Sequence, residues 1–338
     1  MVIIRDILRD QKKGIAALLV LIGLLPFIIQ DNNFRHVMIM FVLFAALGQA
    51  WNIITGYAGQ TSFGHAAFFG IGAYASTVLL WKFDVSPWIG MLVGGIIASL
   101  VACVVSYPCF KLSGHYFAIA TLAIGEIMLQ LFVSWEYVEG ATGIMLPIKE
   151  KGLLNMQFHP ANKLPYFYII YLLFVLIVSI AYIIERSKMG FYLKAIRENP
   201  DAAMAIGIDT TKYKLYAMAV SAFLTAIVGS FYAQYVMYID PFMVFALRIS
   251  MQIVLLTVLG GLGNIFGPII GSAILIFLSQ YTRIILGGTG KGVDLILFGL
   301  LVVVMACYQP NGIVGLFRKF VTKRRREVGV HGTADVAG

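Results

Sequence analysis

Charge is scarce in this sequence. Only 12% of its 338 residues are Asp, Glu, Lys or Arg, about half the share of a water-soluble domain, which excludes an ordinary soluble fold. Cysteine is scarcer still. Cys103, Cys109 and Cys307 lie in or beside apolar segments without CxxC or Cys/His ligand spacing, so neither a disulfide nor a metal site is expected. No HExxH, GxSxG or paired-carboxylate arrangement appears, which argues against an intramembrane enzyme. A nucleotide-binding P-loop is missing too. Gly287-Gly288-Thr289-Gly290-Lys291-Gly292 is glycine-rich, but Ile285 and Gly292 stand where Walker A needs Gly and Ser or Thr. No cofactor is expected on this chain.

What is abundant is apolar side chain. Hydrophobic residues make up 60% of the chain and the mean hydropathy is +0.88, in runs that reach the about 20 residues needed to cross a bilayer as helix. Ten candidate spans follow, at 14–30, 36–55, 61–80, 86–108, 114–135, 166–185, 213–238, 249–262, 265–286 and 291–308. The expected fold is an all-α polytopic membrane protein of eight to ten transmembrane helices. Eight spans result if two of the short Gly-rich segments are re-entrant, since irregular backbone is tolerated where protein buries it.

A net charge of +9 does not point to nucleic acid, because the basic residues sit in clusters between apolar runs and no basic face interleaves with aromatics. Such clusters report orientation, since Lys and Arg accumulate in cytoplasmic loops. With the N-terminus inside, ten spans leave seventeen of the 25 basic residues on the cytoplasmic side. The expected division is a cytoplasmic segment 1–13, a transmembrane domain 14–308 and a basic cytoplasmic tail 309–338. Within the domain, a loop at 186–212 faces the cytoplasm and a loop at 136–165 faces outward.

Two segments concentrate glycine. Gly59 through Tyr74 places Gln60, Ser62, Phe63, Gly64 and His65 inside the membrane region, where a Gly-interrupted helix exposes backbone donors and carbonyls able to hold a zwitterion. Two roles stay open for each of these residues, close helix packing and contact with substrate. A lone His is read as structural. In the second segment, Gly263, Gly267 and Gly271 are expected on one helical face, for packing. The spacing of Gly64 and Gly72 equals that of Gly263 and Gly271, which suggests an internal repeat. Glu126 falls mid-span, where an ionisable group needs a partner: a substrate ammonium or a neighbouring helix.

The loop 186–212 reads as structured. Asn199 is a good N-cap, Pro200 suits the first helical position, Asp201 favours the positive end of the helix dipole, and Gly207 can take the left-handed cap. A helix Pro200–Ile206 is expected. Two turns are marginal alone in water, so it should dock on something. Asp201-Ala202-Ala203-x-x-x-Gly207 matches the Glu-Ala-Ala-x-x-x-Gly pattern of importer segments that sit in a cleft of an ATPase, with small Ala residues allowing close approach.

The chain resembles a known family over nearly its whole length. Gly56-Tyr57-Ala58-Gly59-Gln60 with Ser62 through Phe69, Tyr116 through Ala123 (Thr121 among them), and Ala195-Ile196-Arg197-Glu198-Asn199 between Gly190 and Gly207 carry the resemblance. Gly260-Gly261-Leu262-Gly263, Gly267 through Gly271 and Gln309-Pro310-Asn311-Gly312 complete it. These resemble the branched-chain amino acid permease subunits of ABC importers, of the M type. The resemblance implies an inner-membrane heterodimer with a second permease, two cytoplasmic ATPases that use the ATP, a solute-binding protein outside, and Leu, Ile and Val as cargo. Similar permeases carry urea or short amides. The rival class is an ion-coupled secondary transporter, which would place several ionisable groups within the membrane.

Overall fold

The computed structural model describes residues 11–29, 31–112, 114–159 and 162–285, together with 299 and 312–315. Along the described chain run α1 (Gln11–Ile28), α2 (Asn32–Asn52), α3 (His65–Phe83), α4 (Pro87–Cys109), α5 (His115–Ser134) and α6 (Leu164–Arg186). Then follow two short helices, α7 (Lys188–Glu198) and α8 (Pro200–Ala205), and α9 (Thr210–Val236), α10 (Pro241–Val244), α11 (Leu247–Gly260) and α12 (Phe266–Ile285). A two-residue antiparallel ladder joins β1 (Ile144–Met145) to β2 (Tyr238–Ile239).

Among the described residues seven helices are long and apolar enough to cross a membrane, counting α10 and α11 as one, and two shorter apolar helices flank them. The expected third span is thus a full helix, whereas the eighth, α11, has 14 residues and reaches membrane length only together with α10, and the ninth, α12, is one of the two shorter helices. Nineteen residues of α3 span about 28 Å at 1.5 Å per residue, close to the hydrocarbon thickness. The tenth candidate, 291–308, and the segments 1–13 and 309–338 lie almost entirely outside the described residues.

Several helix starts are set by side-chain caps. Asp31 accepts from Asn33 N and Phe34 N, Asp209 from Lys212 N at 3.0 Å, and Asp240 from Met243 N at 2.8 Å. The middle of the bundle is built on close backbone approach. Gly72 of α3 meets the backbone of Ala226 in α9, Gly229 of α9 meets the backbone of Phe69, and Ser230 Oγ donates to Gly72 O at 2.8 Å. With no water to drive apolar burial, such contacts hold membrane helices together. α2 is the most enclosed span and α5 the least, with 17% of its apolar window buried.

The hydrogen bonds separate two ends of the bundle. At one end the segment 136–159 covers the turn after α3, with Lys149 Nζ 2.6 Å from Asp84 Oδ1 and Ser86 Oγ donating to Leu154 O at 2.7 Å. The opposite, basic end carries α7, α8 and the turns 58–64 and 261–264, so the loops 186–212 and 136–165 lie on opposite ends.

Three sequence expectations change. Thr61 through Gly64 are not helical, because α2 runs on through a π-helical turn, Ile53–Tyr57, and the chain breaks before α3 begins at His65. Gly263 lies in the turn before α12, not on its face. Gly267 and Gly271 do pack closely, against the backbone at Gly261 and Leu256. And α7, in the segment expected as loop, is an amphipathic helix capped by Ser187, burying Gly190, Leu193 and Ile196.

Candidate functional site

At the basic end, Asn199 does what its position predicts: Oδ1 accepts from Asp201 N at 3.0 Å and Ala202 N at 3.1 Å. Pro200 opens α8, which ends at Ala205, one residue short of the expected Ile206. Gly207 follows at φ +88°, a left-handed conformation that favours glycine. Ala203 is only 2% exposed and packs on Ile196 and Ile208 of its own chain. The outward face of α8 is made instead by Ala202, Met204 at 51% exposure and Ile206 at 75%. The sequence reading passed over Met204 and Ile206; their signal was two large apolar side chains in a charged loop.

The break 58–64 sits between this loop and the membrane core. Trp51 Nε1 donates to Ser62 O at 2.7 Å, Thr55 Oγ1 donates to Gln60 O at 2.8 Å, and Phe63 N donates to Thr121 Oγ1 at 3.0 Å. Gly64 has no Cβ to collide with Thr121 O. So Gln60, Ser62, Phe63, Gly64 and Thr121 are brought together, and Gly59 lies beside them against Arg197.

His65 bonds only within the chain. Its ring is fully buried, with Nε2 2.8 Å from Ser221 Oγ and Nδ1 3.2 Å from Ser62 Oγ. Ser221 Oγ gives its proton to Ala50 O at 2.7 Å. It therefore accepts from Nε2, and Nδ1 accepts from Ser62. The ring thus pins the break to α9 and, through Ser221, to α2. His65→Ala is expected to cost about 2–4 kcal/mol through cavity and unmade hydrogen bonds, read as a lower melting temperature in detergent. An unchanged melting temperature would show that these hydrogen bonds do not hold the break in place.

Glu126 stands apart. It is exposed on α5, and its Oε1 accepts from Gln130 Nε2, one turn along the same helix, at 3.1 Å. Of the two partners the sequence left open, a neighbouring helix of this chain is not the one found. Few α5 side chains face inward: Phe117, Thr121, Gly125 and Phe132 are buried, while Ile119 and Ile127 are more than 60% exposed. A carboxylate with an amide beside it at mid-depth is costly against hydrocarbon. This face therefore suits protein or water.

Asn52 is a further polar residue whose role becomes clear. It is buried at the end of α2, where Gly263 N donates to its Oδ1 at 2.9 Å and its Nδ2 donates to Asn264 O at 3.2 Å. It ties the end of α2 to the Gly-rich turn before α12. His115 is exposed at the start of α5. Among the described residues no cluster of three His, Cys, Asp or Glu could hold a metal ion.

Membrane-length helices broken by polar, glycine-rich turns, with a capped helix projecting at one end, are the build of a multi-pass transport protein. Residues 33–305 match the family described as the branched-chain amino acid transport system permease component, and the chain belongs to it. The high-affinity branched-chain amino acid transport system permease protein LivM of Salmonella typhimurium is 24% identical, the match covering 91% of this chain and 76% of that protein. The LivH protein of the same system and organism is 25% identical over 80% of this chain and 91% of its own. A probable LivH of Methanocaldococcus jannaschii is also 25% identical, covering 80% and 87%. No solved structure matches.

Proposed function

We propose that this chain is the inner-membrane permease subunit of an ATP-driven importer that carries leucine, isoleucine and valine by alternating access. The observation that carries this reading is α8: a capped, two-turn helix at the basic end, presenting Met204 and Ile206 outward. By the positive-inside rule that end is cytoplasmic, with both termini inside. There α8 offers Asp201, Ala202, Met204 and Ile206 to one of two partner ATPases, which consume the ATP. Asn199, Pro200 and Gly207 shape the helix, and Ala203 seats it on the chain itself.

The likeness to both LivM and LivH proteins supports pairing with a second permease in the bilayer. The open face of α5 is where that subunit would stand, with Thr121, Glu126 and the break at Gly59 through His65 bordering the path between them. The loop 136–165 would face the solute-binding protein. The names of the relatives support the branched-chain cargo, and ion coupling is disfavoured because, among the described residues, Glu126 is the one carboxylate near mid-depth.

Competition of labelled leucine uptake in cells carrying the whole transporter tests the cargo. Valine or isoleucine in about tenfold excess should cut uptake to roughly a tenth by mass action if their affinities are alike. Urea and acetamide should have no effect. Inhibition by urea or acetamide alone would overturn the cargo, and transport by the purified chain on an ion gradient would overturn the dependence on ATP.

A further inference from the structure

Arg197 lies in the last turn of α7, two residues before the cap of α8, and its side chain reaches into the membrane part of the protein. Its Nη1 donates to Gly56 O at 2.8 Å, in the π-helical turn that closes α2. The last carbonyls of a helix lack partners within it, and a cation there is favoured by the helix dipole as well. The slot is lined by glycine. A Cβ on Gly59 would stand 2.7 Å from Arg197 Cγ, and one on Gly263 would stand 2.7 Å from Arg197 Nη1 and 2.9 Å from Gly56 O. Through Nη1 the guanidinium therefore bridges the seam between the end of α2 and the turn before α12, while its Nε and Nη2 donate to Glu198 Oε1 at 3.3 and 3.0 Å on the outer side; Asn52 joins the same two segments from inside. Nearby, Lys194 of α7 pairs with Glu185 Oε1 at 3.1 Å, and its ammonium lies 5.9 Å from the centre of the Tyr57 ring.

We infer that Arg197 is a positioning residue that transmits movement of α8 to the two glycine-rich turns at the inner mouth of the path. α7 and α8 pack through Ile196 and Ala203, so they move together. A displacement of α8 is delivered through Arg197 to Gly56 and Gly263. From the first of these it runs along the break to Phe63 N and thence to Thr121 on α5. The two turns would then shift as one gate, which their separate places in the sequence do not suggest. The inference rests on the proposal that α8 docks on a partner ATPase.

The test uses the complete transporter, reconstituted with its ATPases and binding protein, and measures leucine uptake and ATP hydrolysis on the same vesicles. In Arg197→Ala, loss of a charge-assisted bond should lower uptake about tenfold or more while hydrolysis stays within about twofold. Arg197→Lys, which keeps the charge but not the flat fork, should fall between. Gly59 offers no site for a covalent substitute, because its φ of +72° favours glycine.

Uptake and hydrolysis falling in proportion, or normal uptake in Arg197→Ala, would overturn the inference. So would failure of both variants to accumulate, which would make Arg197 a folding residue. If the ATPases do not co-purify with the unaltered chain, the docking proposal falls and this inference with it. If they do, and Arg197→Ala transports normally, only the link through Arg197 is lost.

Discussion

Glutamate in place of both Met204 and Ile206 is expected to lower leucine uptake by about a hundredfold or more, because two charges would have to be desolvated at the docked face. The chain should still reach the membrane at its normal level. Both side chains are mostly exposed in the isolated chain, so the folded protein loses no packing when they are exchanged. The expected loss is of partner binding, read by co-purification of the ATPases beside uptake. Arginine at Ala203 would be a poorer probe. Ala203 sits against Ile196 and Ile208, so a long cation there breaks the seat of α8 on α7 and mixes misfolding with lost docking. Unchanged co-purification in the Met204→Glu, Ile206→Glu double variant would mean that the ATPase docks elsewhere.

The caps of α8 were legible in the sequence, whereas the outward placement of Met204 and Ile206 was not. Asn199, Pro200 and Gly207 act through the backbone of their own turn, so residue identity and spacing suffice to place a cap, and the helix appeared as expected apart from its last residue. Which side of that helix faces outward depends on α7, eleven residues whose apolar positions were lost between two long spans. The same holds for the spans. Length and hydropathy marked them, whereas the break before His65 is set by tertiary contacts from Thr121 and Ser221, which lie 58 and 156 residues from their partners Phe63 and His65. Glu126 was legible as a residue in need of a partner. That the partner would be Gln130, on a face turned away from the chain, follows only from how loosely α5 is enclosed.

Leucine at Gly72 is expected to leave no folded protein, and alanine there to cost about 2–3 kcal/mol, or several degrees in melting temperature. The atoms a Cβ would meet are backbone: Ala226 O, its carbonyl carbon at 2.5 Å and its Cα at 2.6 Å. No rotamer change relieves that contact. The helices must separate, and separation strips the second half of the same crossing, where Gly229 lies against Phe69 and Ser230 Oγ donates to Gly72 O. A leucine side chain forces that separation by several ångströms in a protein whose whole stability is of the order of 10 kcal/mol. Gly125 supplies the control. It too is a helical glycine, but the nearest atoms to its Cβ position, Gly64 Cα and Phe63 O, lie 3.9 Å away, so Gly125→Ala should be neutral or stabilising by about 0.5–1 kcal/mol through helix propensity alone. Melting of the purified variants in detergent, followed by size-exclusion chromatography, separates the two cases. Equal losses at Gly72 and Gly125 would show that the α3–α9 crossing does not hold the bundle together, whereas loss at Gly72 alone would place the bundle's main joint at the same glycine whose spacing from Gly64 first suggested a repeat.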